Sequence, residues 1–223
     1  MLDKEYLLDK DKIDKQLKQH FFFEDQVKTK KRVKELAEVY TNEREVNNML
    51  DLIPMKDKNG DFDDKKQISY TYLEPACGNG NFLHKILERK LKSIKNLTSY
   101  KHSSLKDFEY YILRSVSTIY GIDICPENVI QSKKRLFGII ESFFDFNRNT
   151  EDISKNFHNS ILYILNKNII LGDTINKPEN ILISEFIIPQ KYYFKERIFN
   201  FNKLGSNNYI EIDKVRFNKL GSI

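Results

Sequence analysis

The richest chemistry in the sequence lies in Leu73-Glu74-Pro75-Ala76-Cys77-Gly78-Asn79-Gly80-Asn81-Phe82-Leu83, where a β-rich run gives way to a helical one. Glycines there let the backbone turn tightly and approach a ligand with no Cβ in the way. The helix that follows presents unpaired N–H groups to a negative group. A dinucleotide fingerprint needs a third small residue at position 83, where Leu83 stands, so that class of site is disfavoured. Two carboxylates follow further along the chain. Asp123 closes Tyr120-Gly121-Ile122-Asp123, and an acidic residue at a strand end can accept from two ribose hydroxyls. Capping the next helix is its alternative use. Asp173 closes Ile170-Leu171-Gly172-Asp173, although Gly-Asp is also a common turn pair.

The elements that must position these residues follow from periodicity. A strand is predicted over residues 68–73 and a helix over 79–91. Leu105, Phe108, Ile112, Leu113 and Val116 predict a helix over 105–117, and a second strand follows at 118–123. Pro126 suits the first position of a helix, which Val129, Ile130, Leu136, Ile139, Ile140 and Phe143 extend to about residue 144. A further helix over 151–165 and a third strand over 168–171 complete three alternations of strand and helix, the pattern of a parallel sheet. Upstream, residues 1–36 carry helical apolar spacing, and a helix capped by Thr41 or Asn42 runs to a stop at Pro54. Residues 56–67 read as a charged loop turning at Asn59-Gly60, and 93–104 as a polar loop. After Pro178 the pattern turns β-like over 181–188, 191–201 and 208–217. Phe201-Asn202-Lys203-Leu204-Gly205-Ser206 recurs at 217–222, a local duplication rather than a solenoid.

Composition narrows the classes. With 223 residues the chain suffices for one α/β domain with a small appendage. A net charge of +5 suits a polyanion, and the basic run from Lys28 to Lys34 reads as a solvated helix face or a phosphate-tracking one. Cys77 and Cys125 are the only cysteines, and without a secretory pattern at the start the expected setting is reduced and cytoplasmic. Both read as small buried residues rather than a redox pair. His20, His84, His102 and His158 form no ligand spacing with them, so no metal is expected. No apolar run approaches the roughly 20 residues of a membrane helix.

Taken whole, the segment at residues 73–83 resembles the first cofactor motif of the S-adenosylmethionine-dependent adenine-N6 DNA methyltransferases of restriction-modification systems: an acidic residue, Pro-x-Cys-Gly-x-Gly, then Phe-Leu. The resemblance implies that S-adenosylmethionine is bound with Glu74 near the sulfonium and amino group. Ala76, Cys77, Gly78, Asn79 and Gly80 would wrap the methionine end, with Phe82 beneath the loop. Upstream, Glu38-Val39-Tyr40-Thr41 with Glu45, Val46 and Met49 is similar to the family's helix-start motif, which implies a carboxylate-holding site at Tyr40 and Thr41. Asn42 stands where the family has Pro, and Ala37 where it has Gly; a plain helix cap at Thr41 would need no ligand. Asp123 would hold the ribose, Ile124 would flank the adenine, and Asp173 would accept from its amino group.

The family's catalytic motif, Asn/Asp/Ser-Pro-Pro-aromatic, positions a flipped base and has no counterpart in the sequence. All five prolines, Pro54, Pro75, Pro126, Pro178 and Pro189, are isolated, and Asn176-Lys177-Pro178-Glu179 lacks the second Pro and the aromatic. The resemblance covers residues 36–175 and assigns no catalytic residue. Three readings stand: a truncated or split methyltransferase whose catalytic motif lies on a second chain; an enzyme with another acceptor site, including RNA stacked on Tyr192-Tyr193-Phe194, rings that core packing would equally use; or a cofactor- or partner-binding module. DNA is the expected partner, and no membrane is involved. The expected fold is α/β, a Rossmann-like parallel sheet with helices on both faces. Residues 1–36 form a helical N-terminal segment, 37–177 the cofactor-binding domain and 178–223 an antiparallel β extension. The first strand would have an open edge unless residues 181–201 or another chain cover it.

Overall fold

The structure, a computed structural model, describes residues 41–97, 104–147, 155–204 and 209–216. Tyr40, the helical segment expected over 1–36 and the second copy of the repeat lie outside the described residues.

Helix α1 (Glu43–Asp51) begins at Asn42, whose side chain accepts the Arg44 N–H at 2.9 Å, and turns Val46 and Leu50 into the core. Residues 64–69, expected within a loop and the start of a strand, form helix α2 (Asp64–Ser69) instead. Asp63 caps it by accepting the Lys66 N–H at 2.9 Å, and Gln67 and Ile68 are buried. With six residues it is too short for an apolar period to show through its charged neighbours. The first strand accordingly starts later than expected, as β1 (Tyr72–Glu74).

Helix α3 (Asn81–Leu97) runs past its expected end because Ser93 and Ile94 are buried. Helix α4 (Leu105–Val116), β2 (Ile119–Asp123), α5 (Pro126–Asn147), α6 (Lys155–Asn168) and β3 (Ile169–Leu171) follow. The three strands form a parallel sheet in the order β1-β2-β3, with Tyr72 opposite Ile119, Glu74 opposite Gly121 and Asp123 opposite Leu171. Two-helix crossovers, α3–α4 and α5–α6, supply the length that parallel pairing demands.

The chain then builds a separate antiparallel sheet, β4 (Leu182–Gln190), β5 (Tyr193–Asn200) and β6 (Tyr209–Arg216), in that order. None of its strands pairs with β1, which among the described residues is bonded to β2 alone. The second sheet occupies part of the place expected for helices. Residues of β2 alternate in direction: Ile119 joins the core made with the helices, whereas Tyr120 and Ile122 pack with Ile170 against Ile181, Ile183 and Phe201. The expectation of helices on both faces is therefore corrected on this face, where the beginning of β4 covers the strands.

Two polar ties fasten the antiparallel sheet to the helices. Buried Glu196 accepts the Tyr163 hydroxyl of α6 at 2.6 Å and the Ser184 hydroxyl at 2.6 Å. At the β4–β5 turn, the Tyr192 hydroxyl donates to Asp107 of α4, and the Tyr192 ring lies 5.2 Å from that of Tyr110. Phe194 is fully buried, so core packing takes up rings that were also candidates for base stacking.

At the amino end of the parallel sheet, the ammonium of Lys90 is wholly buried. It donates to the carbonyls of Gln67, Ile68 and Tyr70 at 3.0, 2.9 and 2.7 Å and to the Thr118 hydroxyl at 2.9 Å. Three N–H groups thus meet four acceptors, closing the carboxyl end of α2 and joining the segments that lead into β1 and β2. Lys90→Met strands buried carbonyls and is expected to lower the unfolding free energy by about 3 kcal/mol in urea titration. The exposed Lys92→Met control should stay within about 0.5 kcal/mol.

Candidate functional site

Beyond Glu74 the chain continues alongside β2, with the Cys77 N–H donating to the Ile122 carbonyl at 2.9 Å. The turn closes when the Gly80 N–H reaches the Cys77 carbonyl at 2.9 Å, and α3 begins as the His84 N–H bonds to the Gly80 carbonyl at 2.8 Å. Gly80 has φ +85°, and a Cβ there would stand 2.8 Å from Ser132 Oγ of α5. On the facing strand, a Cβ at Gly121 would stand 2.6 Å from Leu83 and 3.0 Å from Cys77 Sγ. Glycine at both places lets the turn lie close between β2 and α5.

The turn and the strand-end carboxylate meet directly. Asp123 Oδ2 accepts the Gly78 N–H at 2.8 Å, while Oδ1 accepts the Cys125 N–H at 2.8 Å and the Asn128 amide at 3.1 Å. A carboxylate offers about four lone-pair positions. Three are in use, leaving capacity for one further hydroxyl on Oδ2. Of the two uses, holding the start of α5 is the one the hydrogen bonds show, and the remaining lone pair leaves room for one hydroxyl rather than two.

Asp173 is half-buried and folds its own turn. Its carboxylate takes the Ile175 N–H at 3.1 Å, the Asn176 N–H at 2.9 Å and the Asn176 side-chain amide at 2.9 Å. These bonds, led by the Asn176 N–H, hold its carboxyl below the usual range. The Thr174 hydroxyl reaches the Pro75 carbonyl at 3.3 Å, and the Gly172 N–H bonds to the Asp123 carbonyl at 3.0 Å. The segment after β3 thereby spans the carboxyl ends of all three strands. Ile124 and Ile175 stand out from this rim, 60% and 86% exposed. Glu74 is half-buried, and desolvation pushes its carboxyl up, partly offset by the Ala76 N–H.

Helix α5 supplies residues that sequence reasoning did not single out. Asn128 donates to Asp123, the Ser132 hydroxyl donates to the Gly78 carbonyl at 2.9 Å, and Arg135 Nη1 donates to the Asn79 carbonyl at 3.0 Å and to Asn81 Oδ1 at 2.7 Å. Asn81 in turn donates to the Thr41 carbonyl at 3.5 Å, which brings the start of α1 to the turn. The available signal was spacing: 128, 132 and 135 fall on one face over the first turns of the helix.

The structure therefore brings together Thr41, Glu74, Ala76, Cys77, Gly78, Asn79, Gly80, Asp123 and Asp173 at one end of the sheet. Ile124 lies on its rim, and Phe82 packs partly buried against the core. A cavity of roughly 290 Å³ lies at the amino end, lined among others by Thr71, Arg114, Thr118, Tyr120 and Glu185. It shares none of the turn's residues. Among the described residues no group of His, Cys, Asp or Glu is placed to hold a metal ion, and no helix is long and apolar enough to cross a membrane.

Cys77 is buried, and desolvation together with the neighbouring Asp123 charge pushes its thiol up to about 12. At pH 8 about one such thiol in ten thousand is ionised. In a Cys125→Ser background, native protein should react with a disulfide reagent at least a hundredfold more slowly than protein in guanidinium; equal rates would contradict the buried, protonated thiol. Compared with protein family models, with curated proteins and with solved structures, the chain matches none.

Proposed function

We propose that this chain binds S-adenosylmethionine and is the cofactor-holding part of an adenine-N6 DNA methyltransferase of the restriction-modification type, with the acceptor motif supplied by a second chain. The reading rests on the resemblance of residues 73–83 to the family's cofactor motif. The observation that carries it is the 2.8 Å hydrogen bond from Gly78 of that motif to Asp123 at the end of the neighbouring strand. Strand order β1-β2-β3 with helical crossovers suits one half of a Rossmann-like sheet, whose ligands bind at the strand carboxyl ends.

The residues present fit the group. Carboxylates close or follow each strand, as Glu74, Asp123 and Asp173, an arrangement that favours a sulfonium and an ammonium over a pyrophosphate. Asp123 keeps acceptor capacity for a ribose hydroxyl, and Asn79 Oδ1 is buried without a partner among the described residues, an acceptor suited to an ammonium donor. The glycine turn would hold the methionine end, Thr41 its carboxylate, Ile124 the adenine face and Asp173 the adenine amino group. When bound, the cofactor supplies an activated methyl group; this chain's residues orient it and shield it from water. The edge of β1, unpaired among the described residues, is where the second chain would join.

Calorimetry should show binding of S-adenosylmethionine and none of NAD. Asp123→Asn, which preserves shape while removing charge and an acceptor, is expected to weaken binding at least tenfold, about 1.4 kcal/mol; unchanged affinity would refute the ribose assignment. Because the Glu74 carboxyl is pushed above its ordinary 4.5, affinity should fall as pH is lowered from neutral toward that range, when the carboxylate gains a proton, and Glu74→Gln should flatten the profile. Labelled methyl transfer to duplex DNA should require the product of an adjacent gene. Turnover by this chain alone would place the acceptor site within it, and a transfer confined to RNA would overturn the DNA reading.

A further inference from the structure

We infer that the α5 stripe Asn128, Ser132 and Arg135 is a graded clamp on the ligand-holding turn, and that Arg135 positions the part of the turn serving the ligand's amino-acid end. The ligand assignment in this inference rests on the function proposed above; the clamp itself does not.

The three residues follow one another at intervals of four and three, so they lie in line along a single helix face. Each grips a different part of the site. Asn128, nearest the start of α5, holds the Asp123 carboxylate; Ser132, one turn on, holds the Gly78 carbonyl; Arg135, a further turn on, holds the Asn79 carbonyl and the Asn81 side chain. The order along the helix matches the order of proposed contacts along the ligand, ribose first and amino-acid end last. Two further details tie α5 to the turn. A Cβ at Gly80 would strike Ser132, so the turn follows the helix surface closely. Asn81 also bonds to the Thr41 carbonyl, so Arg135 links the turn to the start of α1, where the ligand carboxylate would be held.

A backbone carbonyl held by a guanidinium has its peptide plane fixed, and the N–H group of the next residue is fixed with it. Arg135 thereby holds the Asn79–Gly80 peptide, whose N–H closes the turn on the Cys77 carbonyl, and Ser132 holds the Gly78–Asn79 peptide and with it the direction of the Asn79 N–H. These side chains act through the turn rather than by touching the ligand; they are positioning residues. Both Arg135 bonds leave from Nη1, so a lysine at 135, with three N–H donors on a shorter stem and no planar fork, keeps them only in part.

The test uses the full chain, two ligands and one measurement that needs no ligand. S-adenosylmethionine and 5′-methylthioadenosine share the nucleoside and differ in the amino-acid end. Arg135→Gln is expected to weaken S-adenosylmethionine at least tenfold while leaving 5′-methylthioadenosine within about twofold, with partial recovery in Arg135→Lys; Asn128→Ala is expected to weaken both alike. In the free protein, hydrogen exchange at the Asn79 to Asn81 amides should quicken in Arg135→Gln, with exchange in the middle of α3 unchanged. Equal losses for both ligands would overturn the grading. Unchanged exchange in the turn would overturn the clamp. Wild-type protein that binds neither ligand would remove the cofactor reading, leaving the exchange result to decide the clamp alone.

Discussion

A carboxylate removed from water is costly unless its oxygens are hydrogen-bonded, and the arrangement of this molecule follows from how that requirement is met at Asp123. Only 9% of the residue is exposed, and its three donors come from the glycine turn after β1, from the residue leading into α5 and from α5 itself. The one side chain thus fixes where the turn lies relative to the central strand and where the next helix begins. The absence of a Cβ at Gly80 and Gly121 lets the same segments close up around it.

The strands themselves are too short to do this. β2 has an ordinary five residues, but β1 and β3 have three each, the short end of the usual range. Three paired residues between each pair of neighbours contribute few ladder bonds to fixing the offset between strands. Hydrogen-bonding groups at the two ends supply what the ladders lack: Asp123 gathers N–H donors at the carboxyl end, and Lys90 gathers carbonyl acceptors at the amino end. Both bind to α3 or its leading turn, so one helix, anchored at its start and near its middle, sets the offset between β1 and β2.

What could be read from the chain beforehand was local. Asn42 and Pro126 mark helix starts by their own chemistry, and the glycine turn is specified by residue type, so α1, α5 and the turn fall where expected. Helix α2 escaped because Asp63, Asp64, Lys65 and Lys66 hide a single buried face made of Gln67 and Ile68. The covering of the second face escaped for another reason. All five residues of β2 are buried, which requires a partner on each side without saying whether it is a helix or a sheet. Only the approach of Ile181 and Ile183, distant in sequence, decides it. Asn128, Ser132 and Arg135 are ordinary polar helix residues one at a time, and their alignment with the turn exists only once α5 is laid against it.

The charge at the candidate site limits what can enter. A ligand approaching the strand ends meets the carboxylates of Glu74, Asp123 and Asp173, with Arg135 already engaged on the Asn79 carbonyl and the Asn81 side chain. A diphosphate would face repulsion there that one helix N-terminus offsets poorly. A nucleoside carrying positive charge faces attraction, which is the electrostatic reason for preferring a sulfonium ligand to a dinucleotide even apart from any motif. The chain lays the beginning of β4 over β2 and β3, and among the described residues none of β4, β5 and β6 extends the parallel sheet past β1. On the function proposed above, a sheet built this way would hold its cofactor beside an edge that is unpaired among the described residues, and the acceptor residues have to arrive there from another chain.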